Sequence, residues 1–322
     1  MDVPTVSVVI PLYNKGRYIE RALASVFAQT CPPLEIIVVD DGSTDDGPER
    51  VLSFSDPTII FIRQENRGPG AARNAGLSIA KGMYVTFLDA DDEWMPSFLH
   101  EGLSLLENES ANVTVVCAGY IRYPSKKQSI DEADNLRDGV YEISEETDIN
   151  LFREIIRFST VCFSIMRTEV VRRWGGFFDK YKCTRGEDTN LFIKLILNER
   201  IGIIYRPLGV YHTESSNLYG GGHIKPLRLP PYLEDPSDIL DACHPNKRQL
   251  LNEYLLIRIL DYAKQLAHWG QRKEAKELLS RIRIRTRSDF KEALKVRLLS
   301  EIAPVIPIFR RLLRHTKLLR SN

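Results

Sequence analysis

The chain alternates short apolar stretches with amphipathic ones, and this order restricts the fold more than any other feature of the sequence. Apolar β-type runs predict strands, whereas apolar residues three or four positions apart predict helices. Strands that alternate with helices through short connections form a parallel sheet covered by helices. We therefore expect an α/β fold. The predicted strands are residues 6–10, 35–39, 59–62, 83–88, 161–166 and 201–205, with helices over 18–29 and from Arg67 through Leu77.

Polar residues follow the predicted strands at the points where these strands end. Tyr13 follows the first strand, Asp40 and Asp41 follow the second, and residues 89–92 (Asp-Ala-Asp-Asp) follow the fourth. Ligands of open α/β sheets bind beyond the carboxyl ends of the strands, so these side chains are candidates for a binding site. An Asp-x-Asp pair there suits a divalent cation that carries phosphate oxygens, because magnesium and manganese prefer oxygen ligands. A solvated acidic turn and, after the second strand, a helix N-cap are the alternatives.

Several other kinds of site are not indicated. The sequence has no Gly-x-x-x-x-Gly-Lys-Ser/Thr loop and no Gly-x-Gly-x-x-Gly pattern after the first strand, which argues against an NTPase and a dinucleotide enzyme. Five scattered cysteines without CxxC spacing do not indicate a disulfide framework or a zinc site. The glycines of residues 68–70 leave backbone amides open beside a helix start, where an anion or nucleotide could approach, or they form a plain loop.

Four segments resemble motifs of the inverting glycosyltransferases of family 2, which have the GT-A fold. They are residues 7–14 (SVVIPLYN), 35–45 (EIIVVDDGSTD), 66–76 (NRGPGAARNAG) and 87–92 (FLDADD), in the expected order. The resemblance implies a Rossmann-like, mostly parallel central sheet with helices on both faces. It also implies transfer of a sugar from a nucleoside-diphosphate sugar, most simply a UDP-sugar, with Mg²⁺ or Mn²⁺ as cofactor.

The resemblance assigns donor-site roles position by position. Asp40 would accept the N–H of a uracil-like base, Asp89 would contact the ribose, and Asp91 would bind the cation that bridges the diphosphate. Such a cation stabilises the negative charge that grows on the leaving nucleoside diphosphate. The nucleotide-sugar-binding residues implied in this way are Pro11, Tyr13, Asp40, Gly68, Arg73, Asp89 and Ala90.

In the second half, Glu187 and Asp188 open an amphipathic stretch, where acids also suit the first turn of a helix. The resemblance places this pair in the acceptor pocket, with Asp188 as the general base and Glu187 as an acceptor contact. An inverting transfer needs one base to take the proton of the acceptor hydroxyl. His212 is the second expected metal contact, with a plain surface histidine as the alternative. A glycoside hydrolase also needs two carboxylates, but it has no use for a nucleotide pocket.

The C-terminal part differs from the rest in charge. Residues 281–320 contain twelve Lys or Arg and three acids, a net charge of +9, whereas the whole chain carries +1. Residues 237–279 read as helices, and the basic segment mixes its charges with apolar residues. This pattern fits an anionic membrane surface, with a helical cap on the catalytic domain or an oligomer interface as alternatives. Nucleic acid is not expected as a partner, because no recognition module accompanies the charge.

Together these features predict a GT-A catalytic domain over residues 1–222 and a linker with a helical, basic C-terminal region over residues 223–322. The expected acceptor is a glycan or a lipid-linked saccharide, on family analogy alone. No signal peptide or apolar span of about 20 residues is visible, which predicts a cytoplasmic enzyme, peripheral at the inner face of the membrane. Residues 118–158 read as polar and irregular, and we expect them to border the acceptor site.

Two alternatives stay open. A catalytically silent scaffold that binds nucleotide-sugar or glycan would have lost the carboxylate of Asp91 or Asp188, and both are present. A nucleotidyltransferase would need a Gly-rich, Arg-containing loop after the first strand, where this chain has residues 11–14 (PLYN).

Overall fold

The computed structural model describes residues 5–108, 110–215 and 229–281. The chain divides into two compact units, Met1–Ile224 with Pro230–Arg248, and Lys225–Leu229 with Gln249–Asn322. Residues 230–248 therefore belong to the first unit although they follow the predicted boundary at 222, and that boundary stays a prediction. The basic segment lies, from residue 282 onward, outside the described residues.

The first unit is built on a ten-stranded sheet. The strands are β1 (Val6–Leu12), β2 (Glu35–Asp40), β3 (Ile59–Arg63), β4 (Tyr84–Phe87), β5 (Glu93–Trp94), β6 (Val115–Tyr123), β7 (Lys127–Gln128), β8 (Gly139–Tyr141), β9 (Ser164–Arg167) and β10 (Ile201–His212). Their order in the sheet is β3-β2-β1-β4-β9-β6-β10-β5, and β7 also pairs with β6 and β8 with β10. Its helices are α1 (Gly16–Phe27), α2 (Gly47–Ser53), α3 (Pro69–Ile79), α4 (Phe98–Leu106), α5 (Ile149–Phe158), α6 (Thr168–Arg173), α7 (Glu187–Asn198), α8 (Pro231–Glu234) and α9 (Ser237–Asp241).

The N-terminal half of the sheet is parallel, as predicted. β1 pairs in parallel with β2 and β4, and β2 pairs in parallel with β3. All six residues of β2 are buried, as expected for a strand covered on both faces. The carboxyl ends of these strands meet at one edge of the sheet, which brings Tyr13, Asp40 and Asp89 to the same side of the unit.

The other half of the sheet is mixed. β9 lies antiparallel between β4 and β6, and β6 pairs in parallel with β10. The strand predicted at 161–166 is a 3-10 turn over Val161–Phe163 followed by β9, and the strand predicted at 201–205 continues to His212. The fold is thus the expected α/β fold with a central sheet flanked by helices.

Residues 118–158 are more regular than predicted. β6 continues to Tyr123, and α5 occupies Ile149–Phe158. Asp148 caps this helix by accepting hydrogen bonds from the backbone N–H of Asn150 and Leu151. The prediction was wrong because the polar composition of the segment concealed an N-cap and a buried apolar face, which are the features that start and hold a short helix.

The second unit, as far as it is described, consists of α10 (Arg248–His268) beyond its first residue and α11 (Arg272–Ser280). These helices confirm the predicted helical region after residue 237. Gly270, at φ +79°, forms the turn between them, and the Gln271 N–H donates to the Leu266 carbonyl over 2.9 Å. Over the described ranges, no helix combines the length and apolarity needed to cross a membrane.

Candidate active site

A cavity of about 640 Å³ opens at the carboxyl ends of β1 and β4. Of the eleven site residues predicted from the sequence, nine line it, which places most of the prediction in one site: Pro11, Tyr13, Gly68, Arg73, Asp89, Ala90, Asp91, Glu187 and His212. Asp40 and Asp188 are not among the described residues that line the cavity. The lining also includes Asp41 and Asn66, to which the sequence analysis assigned no individual role, and residues that it did not single out: Lys15, Lys182, Thr184 and Tyr211.

The two aspartates after β2 have different surroundings. Asp40 is fully buried, accepts a hydrogen bond from the Ser43 N–H at 2.9 Å, and lies 3.0 Å from the guanidinium of Arg63. Asp41 lines the cavity, and its Oδ2 accepts the N–H of Gly68 at 2.8 Å. Both aspartates are buried, but only Asp41 is among the described residues that line the cavity, while Asp40 holds the turn. The base contact assigned to Asp40 stays a prediction.

Arg73 connects the two ends of the cavity. Its guanidinium lies 2.7 Å from Asp89 Oδ1 and 2.9 Å from Glu187 Oε1, over the ring of Phe177, and the side chain is only 4% exposed. Burial alone would raise the pKa of Asp89, but the charge of Arg73 holds it below its usual value. Arg73 is thus a buried bridge between a predicted donor carboxylate and a predicted acceptor carboxylate.

Glu187 and Asp188 occupy the first turn of α7, after Gly186 in a left-handed conformation at φ +80°. Burial and, to a smaller extent, the neighbouring charge of Asp188 raise the pKa of Glu187, Arg73 opposes both, and the net result is a pKa of about 7. Asp188 is half-buried, and its Oδ1 accepts the Thr189 N–H at 2.7 Å. The two acids are therefore distinct, because Glu187 faces the cavity in an ion pair while Asp188 stands beside it.

One face of α3 holds the segment before α7 in place. The side-chain amide of Asn74 donates to the Phe177 carbonyl at 2.8 Å and accepts the Phe177 N–H at 2.9 Å, so one side chain binds both backbone groups of Phe177. Gly70 allows the closest approach, since a Cβ at this position would lie 2.1 Å from the Phe178 carbonyl oxygen. Together with Arg73, these residues lie at positions i, i+3 and i+4, on one side of the helix.

Asp91 carries a cationic partner. The Lys15 ammonium lies 2.6 Å from Asp91 Oδ2 and 2.6 Å from the Ser215 carbonyl, and Arg21 binds the Asp91 backbone carbonyl. Divalent ions such as Mg²⁺ and Mn²⁺ prefer carboxylate oxygens, and Asp91 offers such oxygens in the cavity, with Lys15 already bound to Oδ2. The role of Asp91 as a metal ligand stays a prediction.

His212 fits a metal less well. Its Nδ1 lies 2.8 Å from Glu214 and its Nε2 lies 3.0 Å from Glu93, so both ring nitrogens already have carboxylate partners. Partial burial would raise the pKa of Glu214, but the hydrogen bond with His212 lowers it. His212 could bind a cation only after it releases one of these carboxylates, and its role as a metal ligand stays a prediction.

A second acidic group lies just beneath the cavity. Ligand atoms of Asp89, Asp92 and Cys162 lie within 4.8 Å of one another. Burial raises the pKa of Asp92, with added repulsion from Asp89 and Asp91, and burial also raises the pKa of the Cys162 thiol. Asp92 in turn accepts the backbone N–H of His212 at 2.8 Å. We interpret this group as the hydrogen-bonded floor of the site.

Comparison with known proteins places the chain in a family. The family model of Glycosyl transferase family 2 matches residues 7–175. An uncharacterised glycosyltransferase of Rickettsia prowazekii is 32% identical over 202 residues, which are 63% of this chain and 61% of that protein. Glycosyltransferase GlyA of Streptococcus pneumoniae is 47% identical over 89 residues, or 27% of this chain and 13% of that protein.

Solved structures agree in fold. S. aureus TarS 1-349 in complex with UDP superposes with a TM-score of 0.63 at 20% identity, over 94% of this chain and 91% of that one. The chain spans 61% of the length of the Rickettsia relative, so that comparison concerns only part of that protein. The match of the family model covers more than half of the sequence and includes β2, β4, α3 and the cavity carboxylates Asp89 and Asp91. The chain belongs to glycosyl transferase family 2.

Proposed function

We propose that the chain transfers a sugar, with inversion, from a nucleoside-diphosphate sugar to a hydroxyl of a glycan or lipid-linked saccharide. The observation that carries this proposal is the convergence of nine predicted residues, between Pro11 and His212 in sequence, on one cavity of about 640 Å³. A volume of this size suits a small ligand. The family supports glycosyl transfer as the reaction.

The donor side of the cavity suits a nucleotide. Tyr13 is 48% exposed and offers an aromatic face, next to Pro11, for a base. Asp89 and Asp91 lie farther along the same lining, where a ribose and a diphosphate would follow. TarS has been solved with UDP and with UDP-GlcNAc, so a uridine nucleotide is the first donor to test.

Asp91 would hold the Mg²⁺ or Mn²⁺, with His212 as a second contact if it releases a carboxylate. A bound divalent cation would neutralise charge on the departing diphosphate. The rest of the chemistry falls to the protein: Arg73 keeps Asp89 charged and in position, and it fixes Glu187 through the same guanidinium.

Asp188 is the proposed general base. It would take the proton of the acceptor hydroxyl while the oxygen forms a bond to the anomeric carbon and the bond from that carbon to the diphosphate breaks. The ion pair with Arg73 supports this choice, because it occupies Glu187 and leaves Asp188 as the carboxylate without a cationic partner at close range among the described contacts. Glu187 would then position the acceptor.

The support for the acceptor class and for the location of the reaction comes from the charge of the C-terminal segment. A lipid-linked acceptor would agree with the net charge of +9 over residues 281–320, which suits an anionic membrane surface on the cytoplasmic side. We propose this location for testing with vesicles that contain anionic lipid, against neutral vesicles as the control.

The function is tested by ligand-dependent melting and by donor turnover. The protein is heated with UDP, GDP or dTDP, each with and without Mn²⁺, and UDP release from UDP-GlcNAc is followed separately. A ligand at 100 times its Kd stabilises the native state by about 2.7 kcal/mol, which raises the Tm of a domain of this size by about 5–10 °C.

Two variants separate binding from chemistry. Asp91→Asn should lose the Mn²⁺-dependent stabilisation, whereas Asp188→Asn should keep it and lose donor turnover by about 10²–10⁴-fold. If nucleotides raise the Tm of the unmodified protein but no acceptor tried leads to UDP release from the donor, the silent scaffold is favoured. If no nucleotide changes the Tm, the proposed donor site is wrong.

A further inference from the structure

The side chain of Lys15 binds the carboxylate of Asp91, which we propose as the ligand of the divalent cation. Its ammonium is 2.6 Å from Asp91 Oδ2 and 2.6 Å from the Ser215 carbonyl, and it lies 5.7 Å from the centre of the Tyr18 ring. The side chains of Lys15 and Asp91 are 23% and 13% exposed, so water screens this pair less than it screens a surface pair. Lys15 follows directly after the first motif, residues 7–14, and is not part of it.

This ion pair changes what the cavity offers to a metal. The pair of Asp91 and Lys15 carries no net charge, and Asp89, which lines the cavity with Asp91, is paired with Arg73. A divalent ion that approaches without nucleotide therefore meets two cations beside the oxygens that it needs. It can take the place on Asp91 Oδ2 only if Lys15 moves away, and Lys15 then loses its anionic partner.

We propose that Lys15 competes with the divalent cation for Asp91, and that the diphosphate of the donor resolves this competition by accepting the Lys15 ammonium. The proposal rests on the proposed function, since it takes Asp91 as the cation ligand. Its consequence is linkage: the metal binds weakly alone, the nucleotide and the metal strengthen each other, and the coupling is equal in both directions. Lys15 thus makes metal binding conditional on the donor.

Release of Lys15 also affects a second contact. Besides binding Lys15, Ser215 donates its hydroxyl hydrogen to the His212 carbonyl at 2.7 Å, and His212 lines the same cavity. The ammonium therefore joins the start of α1, the carboxylate of Asp91 and the segment that follows β10. Neutral variants can separate the effect of its charge from that of this link.

The test is the affinity for Mn²⁺, measured by isothermal titration calorimetry with and without saturating UDP. Lys15→Met removes the charge and keeps the length of the side chain, and Lys15→Gln removes the charge but keeps a donor for Ser215. Both should bind Mn²⁺ alone at least tenfold more tightly than the unmodified protein. In both, UDP should raise the Mn²⁺ affinity by a factor at least tenfold smaller than in the unmodified protein.

Arg17→Met is the matched control. Arg17 also lies over the Tyr18 ring, at 5.8 Å, so its removal takes one positive charge from the same helix turn without touching the Asp91 contact. This variant should bind Mn²⁺ like the unmodified protein, and Asp91→Asn should abolish binding in every background. Thermal melts of each variant check that it is folded.

The possible results are distinguishable. If the Lys15 variants bind Mn²⁺ alone no more tightly than the unmodified protein, or if UDP coupling is unchanged in them, while the Mn²⁺–UDP pair still binds, the inference is wrong and the proposed function stands. If no variant binds UDP with or without Mn²⁺, the donor site fails, and the role of Lys15 fails with it.

Discussion

Glu187 makes the stability of the first unit depend on pH in a direction that can be calculated. Its pKa is about 7 in the folded chain against a reference value of 4.5, with burial as the main cause. Below pH 4.5 both the folded and the unfolded state hold the proton. Between pH 4.5 and 7 the unfolded state releases it first, so rising pH favours unfolding, and above pH 7 the difference stays constant.

The size of the effect follows from the shift. At about 1.36 kcal/mol per pKa unit, a rise from 4.5 to about 7 corresponds to about 3 kcal/mol. The side chain of Glu187 is 8% exposed, so solvent screening removes little of this. Glu187→Gln stays neutral at all pH values. The free energy of unfolding of the unmodified protein, relative to this variant, should therefore fall by about 3 kcal/mol between pH 4 and pH 8.

Urea unfolding in a Trp269→Phe background measures this difference. The remaining tryptophans, Trp94 and Trp174, both lie in the first unit, so their fluorescence reports its unfolding alone. Asp188→Asn is the control, because it removes the neighbouring charge that helps to raise the pKa of Glu187 and should shrink the pH effect. The reasoning is refuted if the free energy of unfolding of the unmodified protein, relative to Glu187→Gln, stays constant from pH 4 to pH 8 or increases with pH.

Two further predictions concern the turn and the helix that frame the cavity. Gly70→Ala should destabilise the first unit by about 2–3 kcal/mol, because the new Cβ would lie 2.1 Å from the Phe178 carbonyl oxygen. Ser78→Ala, on the exposed side of α3, is the control and should change the Tm little. Equal Tm values for the two variants would contradict the close contact. Asp41→Asn places an amide where a carboxylate accepts the Gly68 N–H, which should cost about 1–3 kcal/mol and weaken UDP binding. Calorimetry that finds the UDP affinity unchanged would exclude Asp41 from the donor site.

Much of the donor half could be predicted from the sequence, because its information is local. The strand runs that became β1, β2, β3 and β4 are short and apolar, and each is followed directly by the polar residues of the site. Their parallel order places those residues at one edge without knowledge of any single contact. Tyr13, Asp89 and Asp91 line the cavity for this reason.

The features of the site that the sequence did not predict depend on contacts between residues far apart in the chain. Lys15 meets Ser215 across 200 positions, and Arg73 meets Glu187 across 114, and no periodicity in a sequence reports such pairs. Asp40 and Asp41 are neighbours that look alike in sequence, yet the pleat of a strand turns successive side chains to opposite sides. Which of the two lines the cavity depends on the geometry of β2 and of the turn that follows it.

The face of α3 that carries Gly70, Arg73 and Asn74 has a consequence for protein engineering. These three residues fasten α3 to the segment 177–187 through a close contact, an ion pair and two hydrogen bonds between the Asn74 side chain and the Phe177 backbone. A chimera with its junction between α3 and α7 would take the C-terminal part of the unit from a relative. It would thereby separate the three α3 residues from the residues that they contact. Recombination should therefore carry the three α3 residues and their partners as one block, and it has freer junctions elsewhere in the chain.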